Sequence, residues 1–153
     1  MALTWFVAEP ASLIAQQQTP TIHVFVVWQN DPNIGSPKDK LSLEAFTNSL
    51  REQVGTPVSV KFVDAAIASK QYIEQMLSAA NIRTNDAVWY YYSGHGSNYD
   101  TWPQSAQQKV PLSWVHQKLK DTRARLTLAT YDCCSIGSPA VSASTIAARI
   151  LNL

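Results

Sequence analysis

The stretch Thr21-Ile22-His23-Val24-Phe25-Val26-Val27-Trp28 is apolar at nearly every position, which predicts a strand covered on both faces in a parallel sheet. Such a strand needs helices above and below it, and its parallel neighbours need long crossovers. The rest of the chain supplies both. Residues 29–40 carry two prolines, a glycine and several Asx residues, and read as a loop at the strand's carboxyl end. Over residues 41–54, Leu43, Phe46, Leu50 and Val54 recur at helical spacing until Gly55 and Pro57 stop the run. Val58, Val60 and Phe62 alternate with Ser59 and Lys61, the pattern of a strand nearer a sheet edge. Ser69 is placed to cap a second helix with Ile73, Met76, Leu77 and Ala80 on one stripe, ending near Asn81. A third strand spans residues 87–92, and a long polar loop spans 93–108. Ser113 is the expected cap of a third helix through Asp121, with Val115 and Leu119 inward. A fourth strand covers residues 126–131, and a last helix is expected within residues 142–151. The alternation predicts an α/β fold, a three-layer α-β-α sandwich on a mainly parallel sheet with right-handed crossovers.

With 153 residues, 46% of them hydrophobic, the chain can bury one core and is short for two. The expected division is an arm over residues 1–20 and one domain over 21–153. Residues 2–15 are partly apolar and precede Gln16-Gln17-Gln18, like the remnant of a secretory signal, but no basic segment leads them and Glu9-Pro10 interrupts the run. A cytoplasmic setting is therefore favoured over a secreted or periplasmic one. No other segment approaches the roughly 20 apolar residues of a membrane span. A net charge of +1, without a basic block, excludes nucleic acid and anionic membranes as expected partners.

The only cysteines, Cys133 and Cys134, are adjacent, and a disulfide closing so small a ring would be strained. The histidines His23, His95 and His116 do not complete a zinc site at finger-like spacing. A thiol used for chemistry is what remains. Ser93-Gly94-His95-Gly96 follows directly on the third strand, and Asp132-Cys133-Cys134-Ser135-Ile136-Gly137 on the fourth. In open α/β sheets ligand sites form at the carboxyl ends of strands, and neighbouring strands lie only about 4.8 Å apart. If these two strands are neighbours, imidazole and thiol meet. Such a pair suits acyl transfer, in which the thiolate attacks a carbonyl and the histidine manages the proton. The N–H of Gly96 joined by that of Cys134 would form an oxyanion hole.

A strand ending in Tyr-Tyr-Ser-Gly-His-Gly and a later strand ending in Asp-Cys-Cys resemble the paired signatures of metacaspases and bacterial caspase-like cysteine peptidases. Residues 34–40 and Val110-Pro111-Leu112 also look like loops of bacterial members, so the resemblance covers about residues 21–150. It implies a caspase-like fold with flavodoxin-like order of the first four strands. It further implies a thiol endopeptidase with Cys134 as nucleophile and His95 as its partner. Asp132 would lie in a substrate pocket preferring Arg or Lys before the scissile bond, with Asp100 as a second carboxylate. Calcium regulation is implied by the resemblance alone; no EF-hand-like loop occurs, and no cofactor or mandatory metal is expected. Two features depart from the family pattern: Ser135-Ile136-Gly137 replaces the usual His-Ser-Gly, and the sequence stops after the large-subunit-like portion. A missing small-subunit portion or a partner chain is thus expected beside the peptide or protein substrate.

Plainer readings stand beside these. Cys133 reads as a small buried hydrophobe, His23 and His116 as structural or solvated residues, and Trp89 through Tyr92 as strand packing. Asp132 is also placed where turn residues are common. The competing functions are an inactive or weakly active caspase-like interaction module and a flavodoxin-like ligand-binding domain, although no Gly-rich phosphate loop follows the first strand.

Overall fold

The computed structural model describes residues 18–105 and 108–133. Strand β1 (Ile22–Trp28) runs through the middle of the domain with Val24, Val26 and Val27 fully buried. Around it lie α1 (Ser36–Gln53), β2 (Val58–Asp64), α2 (Lys70–Ala79) and β3 (Ala87–Ser93). The short strands β4 (Asp100–Thr101) and β5 (Val110–Pro111) follow, then α3 (Leu112–Asp121) and β6 (Leu126–Asp132). The four long strands form one all-parallel sheet in the order β2-β1-β3-β6. The expected order of the first four long strands, and the edge position expected for β2, agree with it.

Side chains alternate across the sheet, so each strand feeds two cores. On one face Val24 and Val26 pack with Leu43 of α1, flanked by Phe62, Trp89 and Tyr91. On the other, Phe25, Val27, Val88, Tyr90 and Tyr92 meet Ile73, Met76 and Leu77 of α2 and Val115 and Leu119 of α3. Helices thus flank the sheet on both faces, as the double burial of β1 requires. Among the described residues no helix is long and apolar enough to cross a membrane.

Three local expectations are corrected. Helix α1 begins at Ser36, inside the expected loop, because Gly35 takes the left-handed conformation (φ 77°) that turns the chain, and Pro37 follows in the first turn. Ser113 is not a cap: α3 begins at Leu112 with Pro111 at the N-cap position and no side-chain capping bond. The polar loop after β3 contains the antiparallel pair β4–β5, in which Asp100 registers with Pro111 and Thr101 with Val110. The helix expected within residues 142–151, and residues 1–17 of the arm expected over residues 1–20, lie outside the described residues.

Candidate active site

Strands β3 and β6 are hydrogen-bonded neighbours, with Ser93 in register with Asp132. The pairing continues one step further, since the Gly94 N–H donates to the Asp132 carbonyl at 3.0 Å. Gly96 then lies against Cys133: a Cβ at position 96 would sit 2.9 Å from the Cys133 Sγ and 2.8 Å from the Asp100 carbonyl oxygen. Only a residue without a side chain fits there. The glycine-histidine turn and the cysteine-bearing strand end are therefore in contact. Cys134 itself lies outside the described residues, joined to Cys133 by one peptide unit of about 3.8 Å between Cα atoms.

The His95 turn is clamped from several sides. The Ser93 carbonyl accepts from the Gln29 N–H at 2.9 Å and from the Ser36 hydroxyl at 3.0 Å, tying the end of β3 to β1 and to the start of α1. The His95 N–H donates to Gln29 Oε1, while the Gln29 amide nitrogen donates to the carbonyls of Trp102 at 2.8 Å and Pro103 at 3.1 Å. The His95 carbonyl accepts from the Tyr92 hydroxyl at 2.7 Å and from the Trp102 N–H at 2.9 Å. Gly96 bridges to Thr101, and the two bonds around that bridge, Ser97 N–H to Asp100 O and Trp102 N–H to His95 O, do not use the Gly96 N–H.

The imidazole is half-exposed, and its Nε2 lies 3.2 Å from Asp31 Oδ2. The Asp31 carboxyl is held below its ordinary range, first by the Asn33 N–H and then by the His95 ring. Both residues line an open groove of about 280 Å³ with Gln29, Asn30, Asp64, Ala66, Pro103 and Gln104.

A second cluster lies beside the end of β3 on the face covered by α1. The buried Ser93 hydroxyl donates to Asp39 Oδ2 at 2.7 Å, and the Tyr91 hydroxyl donates to Asp132 Oδ2 at 3.3 Å. Burial raises the Tyr91 phenol, and the charges of Asp132 and Asp39 raise it further, so it stays a protonated donor beside two carboxylates. Asp132 is exposed, so its carboxylate is open to solvent. Asp100 begins β4, and its carbonyl accepts from the Ser97 N–H at 2.8 Å.

Sequence reasoning thus places His95, Gly96 and Asp132 at one sheet edge, and missed Gln29, Asp31 and Asp39. Their shared signal is position: all three fall in the segment after β1, at the carboxyl edge where His95 also lies. His23 is buried against Asp86 at 3.3 Å, and His116 is an exposed residue whose ring lies beside that of Tyr131. No protein-family model matches this chain, and no curated protein matches it.

Proposed function

We propose that this chain is a caspase-like cysteine endopeptidase in which Cys134 is the nucleophile and His95 its acid and base. What carries the reading is the adjacency of the two motifs: β3 and β6 are paired through Ser93 and Asp132, and Gly96 lies against Cys133. A residue one peptide unit beyond Cys133 is within reach of the His95 turn by chain connectivity alone. In the proposed reaction the Cys134 thiolate adds to the scissile carbonyl carbon, and the Gly96 N–H faces the resulting oxyanion together with that of Cys134. His95 delivers a proton to the departing amine, leaving a thioester. It then takes a proton from the water that hydrolyses that thioester and regenerates the thiol.

The carboxylates of Asp39 and Asp132, flanking Tyr91 and Ser93, support a preference for Arg or Lys before the scissile bond. A guanidinium between two carboxylates gains paired, charge-assisted hydrogen bonds that a neutral side chain does not. In this proposal Asp39 is the second carboxylate beside Asp132, the role that the family resemblance gives to Asp100.

The test uses a peptide electrophile ending in Arg, with intact mass and peptide mapping as the readout. The expected adduct is on Cys134, is lost in Cys134→Ala and His95→Ala, and forms at least about tenfold more slowly in Asp39→Asn/Asp132→Asn or when Arg is replaced by Ala. Labelling of Cys134 at an unchanged rate in His95→Ala would identify a merely exposed thiol and favour the interaction-module reading.

A further inference from the structure

The loop after β1 contains a carboxylate whose two oxygens are divided between two tasks. Asp31 caps the short 3-10 turn Pro32–Ile34, and its Oδ1 accepts from the Asn33 N–H and from the Asn33 side-chain amide, both at 2.9 Å. These bonds fix the rotation of the carboxylate and leave Oδ2 facing His95 Nε2 at 3.2 Å. The imidazole is held at its other end by its own backbone, whose N–H donates to Gln29 and whose carbonyl accepts from Tyr92 and Trp102. Ring and carboxylate are thus each anchored independently and meet at one bond.

We infer that Asp31 is a positioning residue for His95, fixing the neutral imidazole as the Nε2–H tautomer so that Nδ1 is the nitrogen left to exchange protons with the nucleophile; the catalytic consequence rests on the peptidase reading. A carboxylate only accepts, so the nitrogen facing it carries the hydrogen. The neutral ring has one donor and one acceptor, so Nδ1 is bare. Proton transfer requires a bare nitrogen aimed at the thiol, and a ring free to choose its tautomer presents it only part of the time.

The substitution Asp31→Asn gives a sharper result than simple loss. The two Asn33 donors keep the amide oxygen of residue 31, which turns its NH₂ toward His95. Nε2 must then accept, and the hydrogen moves to Nδ1. Loss of the turn cap alone would not invert a tautomer, so this readout separates positioning from a structural role.

The experiment is long-range proton–nitrogen NMR of the uniformly nitrogen-15-labelled full chain at a pH where the rings are neutral, with His95 assigned by its absence in His95→Ala. The wild type is expected to show Nε2–H at His95, Asp31→Asn to show Nδ1–H, and Asp31→Ala to show a mixture. In parallel, kcat on an Arg-containing peptide should fall about 10- to 100-fold in Asp31→Asn, with KM within about twofold. A His95 tautomer that is the same in all three proteins overturns the role of Asp31, whatever the thiol does. The expected tautomer pattern in a protein whose Cys134 never reacts retires the peptidase reading and leaves the Asp31–His95 pair standing.

Discussion

Asp86 has no counterpart in the chemistry proposed for this chain, yet it is the most heavily bonded carboxylate of the described residues. It is fully buried at the amino end of the sheet and accepts from the Thr21 N–H at 2.7 Å, the Arg83 N–H at 2.8 Å, the Arg83 guanidinium at 2.8 and 3.1 Å, and faces His23 Nε2 at 3.3 Å. Burial by itself would raise its carboxyl. The bonds from Arg83, Thr21 and His23 outweigh that effect and hold it far below the ordinary carboxylate range. A depressed folded-state value means that the stabilisation is complete above the unfolded value near 3.9 and is lost as the pH falls below about 4. Asp86→Asn should therefore lower unfolding stability at neutral pH by about 2–4 kcal/mol. It should also flatten the loss between about pH 4 and pH 2, as urea titrations over that range would register. A variant with wild-type stability at pH 7 would contradict the role given to this network.

Helix starts are where sequence and structure part company most instructively. Ser69 and Ser113 both precede apolar helical stripes and look equivalent as caps, but only the Ser69 hydroxyl accepts, from the Tyr72 N–H at 3.1 Å. At the third helix the chain enters through Val110-Pro111, and pairing of β5 with β4 fixes Pro111 as the N-cap, placing Ser113 inside the first turn. Ser69→Ala should therefore cost about 1 kcal/mol, and Ser113→Ala should be neutral or slightly stabilising, because alanine is the better helix former within a turn. Equal losses in chemical denaturation of the two variants would show that Ser113 caps after all. The same contrast marks what was legible in the sequence. Runs such as residues 21–28 and 87–92, apolar because helices cover both faces, declare themselves. The β4–β5 pair does not, because two-residue strands carry no periodicity and depend on long-range closure. Among site residues, His95 and Asp132 stand next to recognisable strand ends. Asp31 and Asp39 sit in a segment whose prolines and glycine hide the left-handed Gly35 and the helix it starts, so their convergence on β3 is set by the fold.

At the scale of the described domain, the proposed chemistry and the Asp86 network occupy opposite ends of the sheet. The proposed chemistry gathers at the carboxyl ends of β1, β3 and β6, and the Asp86 network joins the amino ends of β1 and β3, with the Asp86 carbonyl also accepting from the Arg125 N–H just before β6. Among the described residues, strands β1 and β3 are bonded on both sides, whereas β2 and β6 are bonded on one. Native-state hydrogen exchange should accordingly find the slowest amides in β1 and β3, at Val24, Val26 and Tyr90, with β2 and β6 opening at lower free energy. Amides of β6 as well protected as those of β3 would show that the sheet does not open from its margins.

The Ser93 carbonyl, reached at once by the backbone of Gln29 and the hydroxyl of Ser36, sets the mechanical character of this edge. The residue after β1 and the first residue of α1 share this one oxygen of β3, more than fifty residues away along the chain, so the imidazole's mount cannot drift away from the first strand without freeing both donors together. The turn carrying His95 therefore behaves as a fixed fitting on the scaffold, and chemical variety within this architecture has to be written into the loops beside it.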